Sequence, residues 1–403
     1  MPTDQFTSNM LLSLQGQDIR IPNLTKVLPG WTSRLHGDYQ AAKNKVLNPW
    51  IRRWVDDDQT CFKLQQAEFG IFAAVLCADS SFDRFCTVAK YFAWYYIWDD
   101  IFDCGVLEGK PDAAIRYRES SMRYIQHQLL PETECPDLSI YPQQLQKTLQ
   151  SWEEVGSHIR SVCSRETCAI LSEEMLKYMS AVGDANALFV NGKCPSLESY
   201  WERRDYAAGV YPGIATIPFV YGVDITRAEL SGPEMQKLWR DTSYVTHIAN
   251  DMLSLRKELK DGQIENLVPV LMLNNGIGAN EAMQLSYNLA EENARGMDDA
   301  AQTLRDECVE ERQAVVVDAF VRGCKDLAGA LIHWSYSGGR YFKPSEIDAR
   351  GEVHFRIEKP VHNEGYSVGF NSSSRSTNLR LGSCIAVLAS VVLLIRTVGP
   401  QLV

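Results

Sequence analysis

Apolar residues recur at spacings of three and four over long stretches of this chain, at 65–100, 143–181, 278–308 and 309–335, and each stretch reads as a helix. A fifth stretch has a defined start. Ser231-Gly232-Pro233-Glu234 puts a proline near the first turn and a glutamate three residues after the serine, and the pattern runs to Lys260 before Asp261-Gly262 ends it. No run of alternating short strands interrupts these patterns. They predict an all-α fold, and their continuity predicts one large domain over residues 1–355, although 403 residues would by length alone allow two or three.

The pattern changes after Tyr341. A polar linker is expected over 356–380, where NSSSRSTN at 371–378 is flexible in composition. Leu381 to Ile395 then gives fifteen residues without a charge. As a helix that run would be about 22 Å long, short of a ~30 Å hydrocarbon layer unless Arg396 snorkels and the remaining residues extend it. The tail 381–403 is expected to be a membrane-contacting, interfacial or packed helix.

Composition removes several classes of function. The formal net charge of -11, with no stripe of lysines and arginines, argues against nucleic acid as a partner. There is no internal repeat, GxGxxG, P-loop or paired CxxC, so nucleotide and zinc enzymes are unsupported. Eleven cysteines at irregular spacing, and an N-terminus without a basic segment and apolar core, predict a cytoplasmic setting.

Two acidic and oxygen-rich groupings bring in chemistry. In HIANDMLSLRKELKDG, Asn250, Ser254 and Glu258 are four residues apart, so an amide, a hydroxyl and a carboxylate fall within about 80° of one another on a helix, with Lys257 about 20° to the other side. Oxygen ligands of mixed charge suit a hard ion such as Mg2+ better than zinc. His247, one turn before Asn250, is read as a packing residue. The second grouping is Asp99, Asp100 and Asp103 in YFAWYYIWDDIFDCG, after an aromatic, nearly uncharged run. Asp99 and Asp103 share a helical face. Carboxylates crowded at a helix C-terminus oppose one another and the macrodipole unless a cation joins them. Asp56 to Asp58, and Asp298 with Asp299, read instead as solvated.

With these residues the chain resembles the class I terpene synthases, specifically the single-domain microbial and fungal sesquiterpene cyclases. Asp99 to Asp103 matches the DDxxD motif, and Asn250, Ser254 and Glu258 match NDxxSxxxE residue for residue. The resemblance covers most of residues 20–345. It implies a helical bundle around a central apolar cavity. It also implies that Asp99, Asn250, Ser254 and Glu258 bind three Mg2+ with the substrate diphosphate, Asp103 being an occasional ligand and Asp100 a supporting residue. Arg204, 46 residues before Asn250, matches the arginine that senses diphosphate, with Arg203 as the fallback. Ala207, Ala208 and Gly209 match a responsive segment after it. Lys257, Arg340 and Tyr341 match diphosphate contacts, and Trp334 a cavity-lining tryptophan.

Ionising an allylic diphosphate leaves an anion and a carbocation, so fixed positive charge must be strongest where the leaving charge develops. The hydrocarbon half needs an apolar, water-excluding wall with aromatic faces. Phe92, Tyr95 and Tyr96 precede Asp99 by seven, four and three residues and lead to the metals along one face. The resulting expectation is a Mg2+-dependent enzyme that cyclises farnesyl diphosphate to a sesquiterpene. The alternatives are a cyclase of C10 or C20 diphosphates, a chain-elongating prenyl diphosphate synthase, and a helical protein that binds prenyl diphosphates without turnover.

Overall fold

The computed structural model describes residues 5–103, 106–107, 110–182, 194–260, 264–338 and 340–358. The 65–100 stretch is not one helix. A helix over Asp58–Gln66 is followed by α1 (Phe69–Leu76) and α2 (Phe82–Asp103). The first break centres on Glu68, whose φ of 56° is the single positive value for a non-glycine among the described residues. That conformation cannot continue a helix. It is held by the Tyr39 hydroxyl and the Lys43 ammonium, which both donate to the Glu68 carboxylate. The 143–181 stretch likewise divides into Gln143–Gln150, Glu153–Val162 and α3 (Arg165–Val182). At the start of α3 the Asp224 carboxylate, distant in sequence, accepts from Ser164 N and Thr167 Oγ1. A contact so remote leaves no trace in a local pattern.

The remaining elements around the cavity are α4 (Leu197–Ala207), α5 (Val210–Ile214), α6 (Pro233–Lys260), α7 (Leu267–Asn275), α8 (Ala279–Asp306) and α9 (Glu311–Ser337). Helix α6 is central and packs on α8 and α9, while α9 also packs on α1, and α1 on α2. Helix α2 is apolar nearly all round, which suits a helix enclosed by others. Its Trp94 and Trp98 are fully buried, and burial of a large apolar side chain contributes roughly 1.5–3 kcal/mol. Close approach to α9 depends on Gly329, since a Cβ there would lie 1.9 Å from the Trp31 ring.

The structure adds a feature that the polarity pattern does not predict. Strand β1 (Asp18–Ile21) pairs antiparallel with β2 (Val353–Arg356), with Ile19 opposite Phe355 and Ile21 opposite Val353. Asn280, near the start of α8, ties β1 down through Arg20 N and the Asp18 carbonyl. Pairing thus extends to Arg356, one residue past the expected boundary at 355. The rest of the expected linker beyond Glu358, and the apolar tail 381–403, lie outside the described residues. No helix among the described residues is long and apolar enough to cross a membrane.

Candidate active site

One wall of an apolar cavity comes from the C-terminal half of α2. Phe92, Tyr95, Tyr96 and Asp99 line it, joined by Phe72 near the middle of α1 and Tyr178 of α3. Asp99 is 8% exposed and sits one turn from the end of α2, where the helix macrodipole disfavours a carboxylate. The side chains of Asp100 and Asp103 lie outside the described residues. Upstream, the Tyr91 and Tyr95 hydroxyls bond each other at 2.7 Å and both reach the Met175 sulfur, at 3.3 and 3.0 Å. The wall is held by packing and by hydroxyls turned inward.

The facing wall is α6, where Asn250, Ser254 and Glu258 are all buried. Their support is polar. Arg204 of α4 is buried and its Nη2 donates to Asn250 Oδ1 at 3.0 Å and to Asp251 Oδ1 at 2.5 Å. Burial alone would weaken the hold of Arg204 on its proton, but the Asp251 carboxylate outweighs it and the guanidinium stays charged. Asp251 also accepts from the Tyr200 hydroxyl and from Leu267 N, the latter at 2.7 Å. Asn266, the N-cap of α7, donates to the Asp251 carbonyl at 2.7 Å and to Glu258 Oε2 at 2.8 Å. Burial, with Asp251 nearby, pushes the Glu258 carboxyl up to about 7. The Ser254 hydroxyl lies near enough to Glu258 to favour its ionised form, yet it is buried without a hydrogen bond of ordinary geometry.

The Arg340 guanidinium is surrounded by aromatic faces, 5.9 Å from the ring of Phe69, 5.6 Å from Tyr96, 5.5 Å from Trp334 and 5.7 Å from Tyr341. Trp334 is fully buried and donates its indole N–H to the Ala67 carbonyl at 2.8 Å. It therefore packs into the arginine's cage, beside the cavity residue Tyr96. Asn250 Nδ2 reaches the Tyr341 hydroxyl at 3.5 Å, which joins this corner to the α6 wall. Lys257 is half-buried on α6. Arg203 faces away from Asn250, with Nη2 3.8 Å from Glu265 Oε1, so Arg204 and not the fallback Arg203 meets the α6 donors. Gly209 has φ of 67° between α4 and α5, and it lines the cavity with Ala207 and Ala208. A Cβ at Gly209 would come within 3.0 Å of the Tyr178 ring.

Sequence reasoning missed Phe69, Phe72, Tyr178, Tyr200 and Asn266, because nothing local marks them. Asp251 carried a signal, being the second residue of the Asn-Asp pair, and it went unused. The sequence predicts only a packing role for His247. It is buried, but it also lines the cavity.

A family model described as terpene synthase family 2, C-terminal metal binding, matches residues 90–296, from within α2 through most of α8, and so includes both walls. The chain belongs to the terpene synthase family. This terpene synthase is 26% identical over 357 residues to the sesquiterpene cyclase hepA of Aspergillus oryzae, covering 86% of this chain and 95% of that one. It is 23% identical over 338 residues to (+)-eremophilene synthase of Gibberella fujikuroi, covering 82% and 89%. The germacradien-4-ol synthase of Streptomyces citricolor has the same fold, with a TM-score of 0.61 at 15% identity over 76% of this chain and 98% of that one. An α-eudesmol synthase matches with a TM-score of 0.64 at 17% identity, covering 76% and 97%. The terpene synthase fold is thus all-α, of the class I terpenoid type. The family's description implies a divalent metal, and the residues present fit one. The α6 donors are all oxygen, as hard divalent cations require. Ser254 offers an unused hydroxyl, and Glu258 is a buried carboxyl crowded by a second acid.

Proposed function

We propose that this terpene synthase is a Mg2+-dependent sesquiterpene cyclase, which ionises farnesyl diphosphate, releases diphosphate and closes the resulting cation to a C15 hydrocarbon or alcohol. The observation that carries this reading is that Asp99 from α2 and Asn250 from α6 line one and the same apolar cavity. Bound Mg2+, three ions in this reading, would supply concentrated positive charge that stabilises diphosphate as it departs. Asp99, Asn250, Ser254 and Glu258 would hold the ions, with Asp103 as an additional ligand. Arg204, Lys257, Arg340 and the Tyr341 hydroxyl would bind diphosphate. Arg204 contacts the Asn250 and Asp251 side chains, so an anion arriving at the metals meets a charge already desolvated and oriented. Phe92, Tyr95 and Tyr96 give the hydrocarbon an aromatic wall that excludes water and stabilises positive charge. The C15 choice is supported by relatives named as sesquiterpene cyclases.

The test is to incubate the full chain with C10, C15 and C20 diphosphates, with and without isopentenyl diphosphate, in Mg2+ or EDTA, and to analyse volatile and polar products. Cyclic product from the C15 substrate alone, lost in EDTA, is the expected result. Longer diphosphates formed only with isopentenyl diphosphate would instead identify an elongating enzyme. Binding without diphosphate release would identify a carrier.

A further inference from the structure

We infer that His247 is the base that ends the reaction, taking a proton from the final carbocation so that the product leaves as an alkene, an inference that rests on the cyclase reading above. His247 lies one turn before Asn250 on α6, is 1% exposed and lines the cavity beside Thr246, Tyr95 and Tyr178. Neither ring nitrogen has a hydrogen-bond partner among the described residues. Leaving a buried polar group unsatisfied is costly, so an imidazole left in this state on a cavity wall points to something that enters the cavity.

The neighbouring polar groups are committed elsewhere. Thr246 Oγ1 donates to the Thr242 carbonyl at 2.7 Å, the Tyr95 hydroxyl is engaged by Tyr91 and the Met175 sulfur, and Asn250 bridges Arg204 and Tyr341. Asp99 is a metal ligand in the reading above. The His247 ring is itself fixed, packed against Trp201 with centroids 5.6 Å apart and against Tyr244 at 5.1 Å. The ring plane is therefore held in place against the cavity wall. Burial, aided by the nearby Arg204 charge, holds the ring well below the ordinary histidine value, so it enters the reaction neutral, with a free lone pair.

A depressed basicity does not disable this role. The C–H bond next to a cationic carbon is a far stronger acid than any imidazolium, so the transfer runs downhill. In the step, that C–H bond breaks, its electron pair becomes the second bond of the new C=C, and the proton joins an imidazole nitrogen. Nothing is oxidised or reduced. The proton then passes to diphosphate or water as products leave, restoring the neutral ring.

The test uses full-length His247→Phe and His247→Asn with farnesyl diphosphate and Mg2+, measuring diphosphate release separately from the organic products. Phenylalanine keeps an aromatic ring against Trp201 and Tyr244, and asparagine keeps polarity, but neither is a base. The expected result in both is continued diphosphate release with the parent alkene reduced by at least about tenfold in share, replaced by isomers of the same carbon skeleton with displaced double bonds or a hydroxyl group. An unchanged product profile with diphosphate release intact would overturn the inference. A change of carbon skeleton in both variants would also overturn it, because that marks a wall of the mould and not a proton acceptor. No diphosphate release from the parent protein would overturn the cyclase reading, and this step with it.

Discussion

The two walls of the cavity reach the same place by opposite means. On α6, Asn250 and Glu258 are backed by a polar network: Arg204 holds Asn250, Arg204 and Tyr200 converge on Asp251, and Asn266 joins Asp251 to Glu258. On α2, aromatic packing delivers Asp99 to the end of a buried helix, where the helix's own field opposes the charge. A buried polar wall holds its geometry only if each partner is satisfied, so it needs a dedicated shell of supporting residues. An apolar wall needs volume and shape, and tolerates a carboxylate only at its rim. The first wall is therefore brittle to single polar changes and the second is not.

The sharpest way to break this contrast is to remove Asp251. Asp251→Leu removes the carboxylate 2.5 Å from the buried Arg204 guanidinium, and the loss of one partner of a buried pair costs about 3–5 kcal/mol. Denaturant unfolding of the metal-free protein checks this, and a loss below about 1 kcal/mol would show the network to be dispensable. Next in size is Asn250→Leu, which should lower kcat by about 10²–10³-fold, the scale of removing one preorganised electrostatic contact, while far-UV circular dichroism keeps the helical signal. Near-normal turnover would contradict the metal assignment. The matching change on the aromatic wall is smaller. Tyr95→Phe removes a hydroxyl bonded to Tyr91 and to the Met175 sulfur, and should cost only about 0.5–1.5 kcal/mol, since Tyr91 keeps its own contact with Met175. A loss as large as that of Asp251→Leu would erase the distinction between the walls.

The same contrast decides what could be read in advance. The donors of α6 are spaced by one helical turn, and Asp99 ends an apolar run, so periodicity exposed both. Their supports are not periodic. Asn266 and Tyr200 meet Asp251 from 15 residues after it and 51 residues before it, and Phe69 reaches Arg340 from α1. The β1–β2 pair escaped for a related reason, since Asp18 and Arg356 come together only when the helices between them are in place. Glu68 shows the opposite limit. Its helix-breaking φ is set by Tyr39 and Lys43, partners in space that override a residue type fully compatible with a helix.

The finest probe of the polar wall is its response to pH. Behind α6, Glu265 faces Arg203, and burial pushes its carboxyl up to about 8 against an ordinary value of 4.5, the Arg203 charge only partly opposing the rise. The folded state therefore holds this proton at pH values where the unfolded chain has released it. The stability it contributes is fully present below pH 4.5 and is lost as pH rises through about 8. Glu265→Gln replaces the acid by a group that stays neutral, so the metal-free variant should lose less Tm than the parent between pH 5 and 8.5, by a few degrees at most. Parallel Tm curves for parent and variant would mean that Glu265 ionises freely in the fold. The polar wall would then be open to water from behind, and the burial that makes its network brittle would end at Asp251.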